Sequence, residues 1–159
     1  MKTDSTPKPY RLLITGSRDA SPEMIARARD VVARAKVNGW EIVVGDAAGI
    51  DTVVVNACKE FEVFGECYGI KDKPRCEINE YVSYNWVKWT IVYGSRDVCV
   101  YPGADYLERD RQMVRHAQRC YAIWNGISNG TWFTFQFAQG LNKPTDVAVY
   151  RLQKEVVRG

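Results

Sequence analysis

A single histidine, His116, stands among 159 residues, and that scarcity removes several chemistries at once. Any Ser/His/Asp or Cys/His arrangement would have to run through it. It falls in the charged helical segment "RDRQMVRHAQRC" and reads there as a surface residue. The five cysteines, Cys58, Cys67, Cys76, Cys99 and Cys120, include no C-x-x-C pair, so no zinc-ligand spacing exists and no metal site is assigned. Their odd number argues against a disulfide framework, and they read as small buried apolar residues. No apolar run reaches 18 residues, and the lead "MKTDSTPKPY" lacks a hydrophobic stretch. Neither a membrane span nor a secretory signal is supported, and a cytoplasmic protein is expected. The dinucleotide fingerprint G-x-G-x-x-G is also missing. A formal charge of +3 with a pI near 8.6 falls short of the concentrated basic surface of a duplex-DNA binder.

What is present suits one compact domain: 46% of the residues are hydrophobic and 26% charged, enough apolar material for a sizeable core. After a polar lead (1–9), "YRLLIT" reads as a short strand ending at Gly16. Ser21, Pro22 and Glu23 form a helix-start signature: a capping hydroxyl, a proline where no N–H is needed, and a carboxylate at the positive end of the dipole. Met24, Ala28, Val31, Val32 and Ala35 then recur at three- and four-residue intervals, and Gly39 can end that helix. The pattern repeats, with "WEIVV" as a strand, "GDAAG" as a turn and Ile50, Val53, Val54, Ala57, Cys58 and Phe61 as a helical stripe. "VFGECYGI" reads as a third strand. Further on come a charged helix ("DYLERDRQMVRHAQR"), a strand ("CYAIW"), an apolar helix closed near Gly140 and a last strand ("TDVAVYRL"). Alternating strands and helices predict a Rossmann-like, doubly wound α/β domain over 10–152, mostly parallel, with helices on both faces. Residues 153–159 form a tail. Residues 71–103 have no clean period; "VCVYP" is expected to be a short strand, and the stretch before it an aromatic-rich insert.

Ligands of open α/β sheets collect where strands end and helices begin, because free backbone N–H groups and helix dipoles converge there. Three turns have the composition for it. In "TGSRD", Gly16 permits close approach, Ser17 offers a hydroxyl and Arg18 a planar fork suited to phosphate or carboxylate, although an ordinary tight turn would look the same. In "GDAAGID", Gly45 and Gly49 permit close contact, and Asp46 and Asp51 are acceptors for sugar hydroxyls or, equally, helix-dipole partners. In "WNGISNGTW", Gly126, Ser128, Asn129, Gly130 and Thr131 precede a helix with no acid nearby, which suits phosphate. Arg109 and Arg111 begin another helix two residues apart, so at most one of them faces a given ligand.

Strand-TGSR, then G-x-A-x-G-I-D, then R-[DN]-R-x-M, then S-x-G-T, in this order over roughly residues 11–150, resemble the Rossmann-like SLOG superfamily. That superfamily unites the DNA-processing protein DprA (Smf) with the LOG cytokinin-activating enzymes, and the chain looks most similar to its YspA/YpsA-related group. The resemblance implies a pocket for a nucleotide or nucleotide derivative. Gly16, Ser17 and Arg18 would form one wall and Gly45, Asp46, Gly49 and Asp51 the middle. Ser128, Gly130 and Thr131 would hold phosphate, with Arg111 closing over it. No cofactor is implied, and a homodimer or other homo-oligomer is a candidate assembly.

Whether such a site turns its ligand over is a separate question. The LOG signature resembles P-G-G-x-G-T-x-x-E, with a glutamate beside the sugar able to stabilise an oxocarbenium-like transition state. Here "SNGTWFT" places Thr134 at that position. The leading expectation is therefore binding or sensing without catalysis. The alternative is an N-glycosidic hydrolase of nucleoside monophosphates using Asp46, Asp51 or Arg111. A third reading is DprA-like binding of single-stranded DNA through Tyr81, Tyr84, Trp86 and Trp89 beside Lys71, Lys73, Arg75 and Lys88. The small net charge places it last.

Overall fold

Six parallel strands stand in the order β4-β3-β2-β1-β5-β6, so the chain moves outward from β1 to one edge and then crosses back to build the other. The computed structural model describes residues 9–70, 87–91 and 105–151, the strand at 87–91 by its backbone. In chain order the elements are β1 (Arg11–Gly16), α1 (Pro22–Asn38), β2 (Glu41–Gly45), α2 (Ile50–Phe61), β3 (Gly65–Gly69), β4 (Val87–Ile91), α3 (Tyr106–His116), β5 (Arg119–Trp124), α4 (Asn129–Gly140) and β6 (Thr145–Val149). The doubly wound parallel sheet expected from the alternation is the observed architecture, and the strand order reverses between β1 and β5.

Helix α1 forms where its signals predict. The Ser21 hydroxyl accepts the Met24 N–H at 3.2 Å, and Gly39 at φ +70° donates to the carbonyls of Ala35 and Lys36. Met24, Ala28, Val31, Val32 and Ala35 are all buried against Leu12, Ile14, Ile42, Val44 and the α2 stripe Ile50, Val54, Ala57 and Cys58. Val53 and Phe61 pack at the rim of that layer. On the opposite face a second layer joins Leu13, Val43, Tyr68, Met113, Val114, Cys120 and Ala138. Adjacent residues of one strand thus serve different layers: Ile14 and Leu12 face α1 and α2, while Leu13 faces α3 and α4. Fully burying such a side chain contributes roughly 1.5–3 kcal/mol, so a charge at Val32 or Leu13 would break its layer. No helix among the described residues is long and apolar enough to cross a membrane.

Two expectations need correction. Strand β4 lies inside the stretch that shows no clean period; V-K-W-T-I does alternate, but its aromatic and charged flanks hide the pattern. His116 is half-buried rather than a plain surface residue, because Tyr68 reaches it from the sheet, with Oη 2.8 Å from Nδ1. Cys58, Cys67 and Cys120 are buried, the Cys67 thiol donating to the Gly45 carbonyl at 3.3 Å, and burial pushes the Cys58 and Cys120 thiols upward, Cys120 to about 12. The segment "VCVYP", Cys76, Cys99 and the side chains of Tyr81, Tyr84, Trp86, Trp89, Lys71, Lys73, Arg75 and Lys88 lie outside the described residues.

Candidate functional site

Because every strand is parallel, all strand C-termini share one edge, and the turns after β1, β2 and β5 meet there. Ser17 joins them. Its Oγ accepts the Asn125 backbone N–H at 3.0 Å, its N–H donates to the Ile123 carbonyl, and its carbonyl accepts the Ile50 N–H at 3.1 Å. With its side chain wholly buried, Ser17 holds the rim together from beneath rather than lining the cavity.

The glycines do similar work. A Cβ on Gly49, whose φ is +82°, would overlap the Arg18 carbonyl, and one on Gly16 would overlap the Ile50 side chain. A Cβ on Gly45 would sit 2.7 Å from Asp51 Oδ2 and 2.9 Å from the Arg109 guanidinium carbon. Each therefore makes room for another part of this chain. Gly130 differs, since a Cβ there would point into open space.

Between these turns lies a cavity of ≈140 Å³, lined by Arg18, Asp51, Arg109, Ser128, Gly130 and Thr131 among others. The first turns of α2, α3 and α4 all border it, so three positive dipole ends converge. Ser128 caps α4 by accepting the Thr131 N–H, and the Asn125 side chain accepts from the N–H groups of Ile127 and Ser128, which fixes the entry into that helix. Arg18 is exposed at the mouth and makes no hydrogen bond or ion pair with any described residue. A wider cleft of ≈810 Å³, which shares no lining residue with the small cavity, is bordered by Asp19, Glu23, Asn125, Tyr150 and Arg151 among others.

Part of the cavity wall is a buried charge cluster. Arg109 donates from Nη1 to Asp46 Oδ1 at 2.7 Å and from Nε and Nη2 to Asp110 Oδ1 at 3.1 and 2.7 Å. Burial opposes the arginine's charge, but Asp110, Asp51 and Asp46 together hold its pKa above the ordinary value. Asp51 accepts the Ala47 N–H at 3.1 Å and no hydrogen bond from the guanidinium. Burial pushes its pKa from 3.8 to about 7, against the pull of Arg109 and that N–H bond, with Asp110 and Asp46 pushing it further up.

The expected site residues thus fall into two groups. Gly16, Arg18, Asp51, Ser128, Gly130 and Thr131 come together on the cavity wall. Ser17, Gly45, Asp46 and Gly49 support it, and Asp46 is fully buried beneath it. Arg111 turns away, bonded to Glu108 at 3.0 Å with its guanidinium over the Phe133 ring; Arg109 occupies the wall instead. Arg109 sits four residues before the buried Met113, and that interval marks the inward face of α3. Asn125 was not singled out by the sequence reading, although an Asn-Gly pair directly after a strand is a turn signal. Thr134, where LOG enzymes have glutamate, is buried and donates to the Gly130 carbonyl at 2.9 Å.

Among solved structures, DNA processing protein A from Helicobacter pylori, described as binding single-stranded DNA, superposes with a TM-score of 0.66 at 20% identity. The match covers 92% of this chain and 68% of that one. The molybdenum cofactor carrier protein of Chlamydomonas reinhardtii gives 0.64 at 15% identity, covering 88% and 76%. The molybdenum cofactor binding protein of Rippkaea orientalis gives 0.63 at 15%, covering 91% and 78%. At 15–20% identity these likenesses show a shared Rossmann-like fold. No family model and no curated protein matches the sequence. In this chain the turns after β1, β2 and β5 meet at one edge of the sheet, and the cavity lies there.

Proposed function

We propose that the chain binds a nucleotide or nucleotide-derived small molecule at the C-terminal edge of its sheet and does not hydrolyse it. The observation that carries this reading is Arg18: an exposed guanidinium with no partner among the described residues, lining the same cavity as the acid-free first turn of α4. That pairing suits a phosphoryl group. The cavity of ≈140 Å³ has room for such a group. Solved structures of similar fold include carriers of a molybdenum cofactor, which supports a small-molecule ligand.

Binding without turnover is favoured because the position of the LOG glutamate holds Thr134, committed to its own helix, and Asp46 is sealed beneath Arg109. Thermal unfolding with a panel of AMP, ADP, ATP and ADP-ribose tests the binding. A ligand held only by the native state at 100 times its Kd adds about 2.7 kcal/mol and raises the Tm. No shift with any member refutes the reading. Chromatography of the same incubations tests turnover, and free base released in proportion to protein would replace binding with glycosidic hydrolysis.

A further inference from the structure

Among the described residues, the Arg109 guanidinium faces the carboxylates of Asp46, Asp51 and Asp110. Asp46 and Asp110 take every hydrogen bond that Arg109 makes, and Asp51 is left with one backbone N–H. Asp51 lines the cavity together with Arg18 and the first turn of α4, and so does Asp110, whose carboxylate is bonded to Arg109. From these positions we propose that the site takes up the anionic group of its ligand together with a proton, carried by Asp51 as its carboxylic acid hydrogen. The inference rests on the nucleotide-derived reading above and adds its regulation by pH.

The groups facing Asp51 account for the coupling. From the β2 turn comes Asp46, from α3 come Arg109, Asp110 and the Tyr106 phenol, from the β1–α1 turn comes Arg18, and α4 contributes only the uncharged Ser128, Gly130 and Thr131. Arg109 makes its hydrogen bonds to Asp46 and Asp110, so an ionised Asp51 would set its own negative charge, without a guanidinium hydrogen bond, against an entering phosphoryl group in a desolvated space. Protonated, the same side chain becomes an O–H donor pointing at an acceptor-rich ligand, so one proton turns repulsion into a hydrogen bond. The balance is simple. Below neutral pH the acid hydrogen is already in place and binding moves no proton; above it, the complex draws one proton from solvent onto Asp51. The upward shift of this carboxyl agrees with the placement.

Isothermal calorimetry with AMP, ADP and ADP-ribose tests the coupling between about pH 7.5 and about pH 9, where the phosphates of all three are fully ionised. In two buffers of different ionisation enthalpy, the native protein should take up close to one proton per ligand near the upper end of that range, and its affinity should fall about tenfold per pH unit. Asp51→Asn, neutral at every pH, should bind with no proton uptake and with an affinity that does not change across the range. Ligand bound by the native protein without proton uptake overturns this inference and leaves the nucleotide reading standing. No binding of any of the three at any pH overturns both. The uptake measurement on the native protein decides the matter even where the Asn variant does not fold.

Discussion

Replacing Asp51 by Asn separates the proton on that side chain from everything else the residue does. The Asn carbonyl can still accept the Ala47 N–H, and the volume is unchanged. Burial raises the carboxyl from 3.8 to about 7, and at about 1.4 kcal/mol per pH unit this corresponds to at most about 4 kcal/mol. The sign follows from proton counting. The folded protein holds the Asp51 proton more tightly than the unfolded chain does. The destabilisation is therefore absent below about pH 4, grows as the pH rises, and is complete above about pH 7. Relative to the native protein, Asp51→Asn should be near neutral at about pH 4 and more stable by up to about 4 kcal/mol at about pH 8. Glu60, lowered by its hydrogen bond to Arg29, and Glu108, lowered against burial by hydrogen bonds from Gln112 and Arg111, titrate in the opposite sense but are common to both proteins and cancel in the difference. Urea unfolding at several pH values between these limits measures it directly. A difference that stays constant with pH, or a variant less stable at pH 8, would show that Asp51 is ionised and satisfied in the native state.

Other substitutions test the remaining parts of the site. Arg109→Ala leaves Asp46 and Asp110 buried without their guanidinium and should cost about 3–5 kcal/mol in urea unfolding, whereas an unchanged midpoint would mean water replaces the arginine. Gly49→Ala must accommodate a left-handed φ and an overlap with the Arg18 carbonyl; a loss of at least about 2 kcal/mol is expected, and a loss under about 1 kcal/mol would mean the two turns are not packed as described. Arg18→Ala removes an exposed side chain with no partner among the described residues, so stability should change by less than about 0.5 kcal/mol. Nucleotide affinity should nevertheless drop by about 1.5–3 kcal/mol, roughly 10- to 150-fold, in calorimetry, and affinity equal to that of the native protein would remove Arg18 from the site.

The elements that were legible in the sequence are those whose signals are local. Ser21, Pro22, Glu23 and Gly39 bracket α1 because capping chemistry acts within one turn of the chain, and the Met24–Ala35 spacing needs no knowledge of what it packs against. The site was less legible because its parts depend on distant partners. Gly45 and Gly49 look the same in sequence whether the space above them admits a ligand or a side chain of this chain; here Arg109 and the Arg18 backbone fill it. Ser17 likewise reads as a free hydroxyl until the β5 turn, 108 residues away, brings Asn125 to it. The choice between Arg109 and Arg111 was open to a sharper reading, since the apolar positions Met113 and Val114 define the inward face of α3.

The linkage at Ser17 has a kinetic meaning. One buried serine bonds to both neighbouring turns, and Gly49 locks the third contact, so the rim is assembled before any ligand arrives. A rim built in advance adds no loop-ordering entropy to the cost of association and needs no slow rearrangement between encounter and capture. Differences in affinity among related ligands should then appear almost wholly in how long each one stays, while arrival rates remain nearly equal.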